Sequence, residues 1–335
     1  LARYDFASDN VAGAMPEALD ALTRLNGGFE AGYGGDGVTR RAADLIREML
    51  GADAEVWFLA SGTAANALSL AALAEPHEAI LAHEHAHVAT DETGAPGFFG
   101  SGVGIVGLPG ASGRIDPDAL AGALGKPDEA HWQSPAALSV TQATEFGALY
   151  GLEALAGLAT RAKGVGLRLH LDGARLANAV AGGFDIKSLA RLGVDIAVIG
   201  GTKAGSTPTE ALVLFDKALG RRFGARLKHG GQLVSKARFL SAPWIGMLES
   251  GAWSARAAHA NAMARRLATL MPFRVNHPVE ANAVFAEMDD AALARLKAKG
   301  WFVYRFIDGS ARFMCSWATT PEAVDELGAA LKAIR

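Results

Sequence analysis

The chain of 335 residues has one cysteine, Cys315, in the apolar stretch Phe313-Met314-Cys315-Ser316-Trp317. A single thiol excludes an intrachain disulfide framework, and a free thiol suits a reducing compartment. No apolar run approaches the ~18 residues of a membrane span, and Leu1-Ala2-Arg3-Tyr4-Asp5 contains no signal-peptide apolar stretch. A cytoplasmic setting without a membrane partner is therefore expected. Blocks of like charge are absent too. Acids and bases are interspersed to a formal net charge of −3, which leaves no electrostatic footprint for nucleic acid and favours a small-molecule ligand. Low-complexity tracts and fixed-period repeats are missing, which excludes solenoids and propellers.

Half of the residues are hydrophobic and a fifth are charged, enough to bury a sizeable core. The length predicts one large α/β domain plus a smaller one. Apolar runs of strand length alternate with helical patterns near 56–59, 79–82, 103–108, 136–141, 167–171, 194–199 and 210–215, the pattern of βαβ units in a mostly parallel sheet. Helices are predicted over 39–50, stopping at Gly51, over 152–163, and from the cap Asp116-Pro117. After about residue 241 the pattern changes. A long helix from Gly246 to Leu270, strands near 283–288, 301–306 and 311–317, and a helix from 321 read as a small α+β domain. Residues 1–241 are thus assigned to an N-terminal arm and large domain, and 242–335 to a small C-terminal domain. The glycine-rich stretch from Asn26 to Gly37 fits neither period and reads as a long functional loop.

Three segments carry chemistry. The strand Val56-Trp57-Phe58-Leu59 runs through Ser61-Gly62-Thr63 into an alanine-rich helix, a junction whose free N–H groups suit a phosphate and equally suit an ordinary helix cap. In Leu167-Arg168-Leu169-His170-Leu171-Asp172-Gly173-Ala174-Arg175 a strand delivers an aspartate to its C-terminal end, where open parallel sheets bind ligands. Such an aspartate can pair with a protonated pyridine nitrogen or simply cap the next helix. Arg175 faces the same place and can hold a carboxylate bidentately. In Val194-Asp195-Ile196-Ala197-Val198-Ile199-Gly200-Gly201-Thr202-Lys203 a desolvating strand ends in a lysine, as a Schiff-base lysine requires. Their order on successive βα units joins the three into one site.

These segments, together with Ser8-Asp9-Asn10, Tyr33-Gly34-Gly35-Asp36, Gly62-Thr63-Ala64-Ala65-Asn66 and Ala86-His87-Val88, resemble the threonine aldolase branch of the fold-type-I pyridoxal-phosphate enzymes. The resemblance runs along nearly the whole chain, and Leu169-His170-Leu171-Asp172-Gly173-Ala174-Arg175 is its most specific part. With Gln142-Ala143-Thr144-Glu145 and Gly200-Gly201-Thr202-Lys203, the sequence looks most like the bacterial low-specificity L-threonine and phenylserine aldolases. The resemblance implies a fold-type-I α/β architecture and pyridoxal 5'-phosphate as cofactor. It implies a Schiff base on Lys203 beside Thr202, Asp172 on the pyridine nitrogen, Gly62 and Thr63 on the phosphate, and His87 stacked on the ring. By the same likeness Ser8, Arg175 and Arg312 bind the substrate carboxylate and His131 lies near its hydroxyl. Tyr33 resembles a residue supplied by a neighbouring subunit, which implies a homo-oligomer of at least two chains, with tetramers common in the family. Where many members have Gly-Gly-Gly-Met-Arg-Gln, this chain has Gly230-Gly231-Gln232-Leu233-Val234-Ser235-Lys236-Ala237-Arg238. Lys236 or Arg238 is the candidate for reaching a neighbour's phosphate.

The implied reaction cleaves a β-hydroxy-α-amino acid to glycine and an aldehyde, with His87, His131 or a water they hold as the base. The alternatives are a β-eliminating lyase or aminotransferase of the same fold, a silent binding relative, and a nucleotide-binding protein using the glycines of the Asn26–Gly37 loop. His170, alternating inward on its strand, is expected to be structural.

Overall fold

The computed structural model describes residues 2–126 and 129–335. All seven expected strands are present: β1 (Glu55–Leu59), β2 (Glu78–His83), β3 (Gly104–Leu108), β4 (Ser134–Thr141), β5 (Arg168–Gly173), β6 (Ile196–Gly200) and β7 (Glu210–Leu214). They form one sheet in the order β1-β7-β6-β5-β4-β2-β3. Strands β2 to β6 pair in parallel, whereas β7 is antiparallel to both neighbours. The short connection from Gly200 to Glu210 explains that reversal, because a parallel crossover needs about a dozen residues or more.

Alternate residues of each strand feed opposite faces. In β6, Ile196 and Val198 join one apolar cluster with Leu68 and Leu227, while Ala197 and Ile199 join another with Ile46 and Trp244. Period-2 alternation with both faces apolar requires helices on both sides, which makes the domain three-layered. Four helices matter for the site: α1 (Pro16–Leu25), α2 (Gly37–Leu50), α3 (Gly62–Leu73) and the single turn α4 (His87–Thr90). Asp36 caps α2 by accepting from the Thr39 N–H at 2.7 Å, and Gly51, at φ 59°, closes it. The glycines from Gly32 to Gly37 are spaced Gly-x-Gly-x-x-Gly, but they precede β1, so no strand feeds them as a dinucleotide loop requires.

The small domain holds β8 (Ala283–Ala286), β9 (Tyr304–Arg305) and β10 (Ala311–Met314) in the antiparallel order β8-β10-β9, backed by helices Ala252–Leu270 and Pro321–Lys332. Three expectations change in detail. The predicted helix Gly246–Leu270 is two helices, Arg238–Glu249 and Ala252–Leu270, broken where Gly251 adopts φ 74°. The division expected after residue 241 falls inside the first of these, whose Trp244 is buried in the large-domain core. The N-terminal arm, assigned to the large domain, instead packs Phe6 into the small-domain core, and Arg3 bridges to Trp301.

Candidate active site

The C-terminal ends of β4, β5 and β6 and the start of α3 face one cavity of about 330 Å³, lined by Gly62, Thr63, His87, Asp172, Arg175 and Lys203 among others. That volume is within the range of small-molecule sites. In that lining Ser61 caps α3, accepting from the Ala64 N–H at 3.3 Å. The first-turn N–H groups of Gly62 and Thr63, at the positive end of the helix, have no acceptor among the described residues. A Cβ on Gly62 would meet nothing within 4 Å, so the space before these donors is open to an anion. Ser61-Gly62-Thr63 is therefore both a cap and a cup. The serine hydroxyl makes the first and the backbone of the next two residues makes the second.

Asp172, in the same lining, is 2 % exposed. One carboxylate oxygen accepts from the Ala174 N–H at 3.0 Å and the other from Asn66 Nδ2 at 2.9 Å. Lys203 lines the same cavity, and its ammonium makes no hydrogen bond or ion pair among the described residues. Burial, and then the charge of Arg175, lower its pKa, and both favour a neutral, nucleophilic amine. The two glycines before it are demanded by packing. A Cβ on Gly200 would lie 2.1 Å from the Ala174 carbonyl oxygen, and one on Gly201 2.5 Å from that of Thr209. Their absence lets the lysine turn lie directly on the turn that follows Asp172. Thr202 lines the cavity, with its hydroxyl accepting from the Thr209 N–H at 3.0 Å. Glu210 accepts from the Gly201 N–H at 2.9 Å, and burial pushes its carboxyl up to about 7.

Arg175 is not free. Its Nε and one terminal nitrogen donate to the two oxygens of buried Asp9 at 2.7 and 3.0 Å, and Asn282 donates to the same carboxylate. Burial opposes ionisation of Asp9, yet the charge and hydrogen bonds of Arg175 hold its pKa below the usual carboxylate range. Arg312, on β10, is the less satisfied guanidinium. Its Nε is buried without a partner, and one terminal nitrogen reaches the Ala7 carbonyl only at 3.4 Å. Burial and the neighbouring Arg175 lower its pKa, so an anion there relieves an unpaired positive charge. Ser8 sits on the same arm and caps the turn Asp9–Val11 by accepting from the Asn10 N–H.

His87 opens α4 beside the cavity. Its Nδ1 lies 3.0 Å from Glu92 Oε1, and its backbone N–H donates to Glu145 at 2.9 Å. The hydrogen bond to Glu92 raises the imidazole pKa against burial. Burial and then Asp172 push the Glu145 carboxyl up to about 7. His170 is structural, as expected: it faces Ser139 at 2.9 Å, and burial drives its pKa down to about 4.

Of the expected residues, Ser8, Arg312 and His131 are not among those lining this cavity, and Tyr33 is expected from a neighbouring chain. His131 is exposed and precedes β4 at Ser134, whereas the cavity begins at the other end of that strand, roughly 26 Å away at ~3.3 Å per residue. Tyr33 is exposed at φ 58°, with Lys228 Nζ 4.9 Å from its ring. Arg238 donates to the Gly27 carbonyl, and Lys236 is exposed. Sequence reasoning gave no role to Asn66, Glu92, Glu145 or Glu210. Asn66 and Glu145 lay within quoted motifs. Glu210 carried a signal of its own, a charged residue opening a strand that is otherwise wholly apolar.

Taken as chemistry, the cavity brings together the open start of a helix, a nucleophilic amine and a buried carboxylate. It fits a flat ring bearing a phosphate, a carbonyl carbon and a basic nitrogen. The family model described as β-eliminating lyase matches residues 5–291. A low-specificity L-threonine aldolase of a Pseudomonas species is 43% identical over 98% of this chain and 97% of its own length. One from Pseudomonas aeruginosa is 43% identical over 96% and 95%. The solved threonine aldolase of Leishmania major superimposes with a TM-score of 0.93 at 30% identity, covering 99% of each chain. An aspartate aminotransferase from Thermus thermophilus, at 17% identity, TM-score 0.74 and coverage of 97% and 89%, shares the fold. The chain belongs to the β-eliminating lyase family and, within that family, to its low-specificity L-threonine aldolases.

Proposed function

We propose that this chain cleaves L-threonine, L-allo-threonine and related β-hydroxy-α-amino acids, phenylserine among them, to glycine and an aldehyde. Lys203, without a partner among the described residues and in one cavity with Gly62, Thr63 and Asp172, is the observation that carries this reading. These residues fit pyridoxal 5'-phosphate: Lys203 as covalent anchor, the Gly62 and Thr63 N–H groups on the phosphate, Asp172 on the ring nitrogen and His87 on the ring face. When bound, that group supplies an electron sink for the carbanion left at Cα.

The chain's own residues do the rest. Arg312, with its unpaired Nε, takes the substrate carboxylate, supported by Ser8. Arg175 spends two of its donors on Asp9 and so acts as an oriented charge bordering the site more than as a free clamp. By holding the carboxylate, Arg312 would fix the orientation of the substrate and so select which bond at Cα is broken. His87 Nε2, or a water it holds, takes the hydroxyl proton. His131 cannot do this within its own chain. Solution as a homo-oligomer in the cytoplasm suits the exposed Tyr33 loop and the lack, among the described residues, of any helix long and apolar enough to cross a membrane.

Aldehyde release and glycine formation, measured on the purified holoenzyme with L-threonine, L-allo-threonine and L-phenylserine, test the reading. Aldehyde and glycine in equal amounts without a keto-acid acceptor are expected. Ammonia and a keto acid in their place would identify an eliminating lyase, and a keto-acid requirement would identify an aminotransferase. Sedimentation velocity tests the assembly, with a species of at least two chains expected.

A further inference from the structure

His87 is held by more contacts than a ring stacked on a cofactor needs. Its Nδ1 faces Glu92 Oε1 at 3.0 Å, and the Glu92 side chain is fully buried. The same oxygen accepts from Asn66 Nδ2 at 2.9 Å, and that amide nitrogen also donates to Asp172 Oδ2 at 2.9 Å. One buried amide nitrogen thus donates to two carboxylates, Asp172 in the cavity lining and Glu92 behind His87. Glu92 Oε2 has no partner, so the carboxyl reaches the rest of the protein only through His87 and Asn66. His87 Nε2 makes no hydrogen bond among the described residues and is the ring nitrogen left for the cavity.

A base whose second nitrogen is bonded to a buried carboxylate has a fixed tautomer and a fixed ring plane. We propose that Glu92 is the positioning residue of His87: it holds the proton on Nδ1, turns Nε2 toward the substrate hydroxyl and sets the pH at which Nε2 becomes a proton acceptor. Asn66 locks Glu92 to Asp172, so that the base and the carboxylate assigned to the ring nitrogen are placed by one rigid bridge. The role of Nε2 rests on the aldolase reading above; the tautomer and charge of His87 do not. The groups facing His87 are Glu92, Asp172 and Lys203 at its ring and Glu145 at its backbone N–H. Of these the hydrogen bond to Glu92 is the largest influence, and it raises the pKa. His87 therefore starts to accept protons only above the ordinary histidine midpoint.

Nitrogen-15 and carbon-13 NMR of histidine-labelled holoenzyme, with His87 assigned from the His87→Asn spectrum, tests the proposal. The wild-type ring is expected as the Nδ1–H tautomer with a midpoint above ~6.5. In Glu92→Gln, which keeps the shape and removes the charge, the midpoint should fall by about one pH unit or more, as expected for loss of an adjacent opposite charge. The acid limb of kcat/KM should move down by the same amount, with cofactor absorbance retained. An Nε2–H tautomer in the wild-type enzyme, or a midpoint that Glu92→Gln leaves in place, overturns the proposal. The wild-type tautomer decides the matter even if the variant does not fold. An enzyme that titrates as expected but releases no aldehyde supports the role of Glu92 and sinks the aldolase reading instead.

Discussion

At the scale of single residues the site is a balance of buried charges. Lys203, Arg175 and Arg312 face Asp9, Asp172, Glu92, Glu145 and Glu210, and each group's state depends on which neighbour it touches. Lys203→Ala removes the only lysine lining the cavity among the described residues, so visible absorbance that borohydride fixes to the protein should disappear together with turnover; an active, coloured variant would unseat Lys203. Arg312→Ala removes a charged hydrogen-bond donor of ~1.5–3 kcal/mol, so KM for L-threonine should rise roughly 10- to 100-fold while kcat changes less. Steady-state kinetics reads that split, and an unchanged KM would free Arg312 from the carboxylate. Glu210 makes a pH-dependent prediction. Its folded pKa is raised from about 4.5 to about 7, so the folded state binds the proton more tightly than the unfolded chain. That contribution to stability is complete below about 4.5 and lost as pH rises through about 7. In the cofactor-free protein Glu210→Gln should match wild type near pH 5 and exceed it by on the order of 3 kcal/mol near pH 8. Melting curves across that range check it, and a constant offset between the two proteins would contradict the shift.

At the scale of elements, glycine separates close packing from open surface. A Cβ on Gly200 collides with the Ala174 carbonyl oxygen, whereas one on Gly157, in the Leu152–Gly164 helix, meets nothing within 4 Å. Gly200→Ala should cost about 1–3 kcal/mol or more and weaken cofactor binding, because it pushes the Lys203 turn away from the turn after Asp172. Gly157→Ala should stabilise by about 0.5–1 kcal/mol through backbone entropy. Chemical denaturation measures both, and equal effects would mean that the close approach is not needed. The strands themselves were legible because a buried parallel strand is a short apolar run bounded by turn residues, a property of five or six neighbours in sequence. The interrupted helix after Arg238 was less so. Gly251 marked the break, but the apolar spacing continues across it, and only the packing of Trp244 against the large sheet separates the two pieces.

At the scale of the whole molecule the N-terminal arm joins the two domains. Phe6 lies fully buried in the small-domain core, and three residues on, Asp9 pairs with Arg175 at the end of β5. One short segment therefore carries both a core anchor and a site carboxylate. Phe6→Ala should destabilise by about 3–5 kcal/mol and loosen Asp9 with it. Limited proteolysis should then cut before Pro16 faster than in wild type, and an unchanged cutting rate would show that the arm is held elsewhere.

The alternation of apolar runs and the capped helix starts determined the fold class from the sequence by itself, and the resemblance carried by the three motifs implied the cofactor and made Lys203 its candidate anchor. Each of these is written in neighbouring residues. Tertiary structure alone decided that Arg175 is already paired with Asp9, that His131 lies at the far edge of the sheet, and that Glu92 and Asn66 stand behind His87. Those facts join residues far apart in the chain, or depend on which end of a strand a loop leaves from. Hydrophobic period and turn chemistry are local and can be read in sequence; the meeting of two charges depends on strand order, register and the direction of each turn, and is fixed only when the whole sheet is assembled.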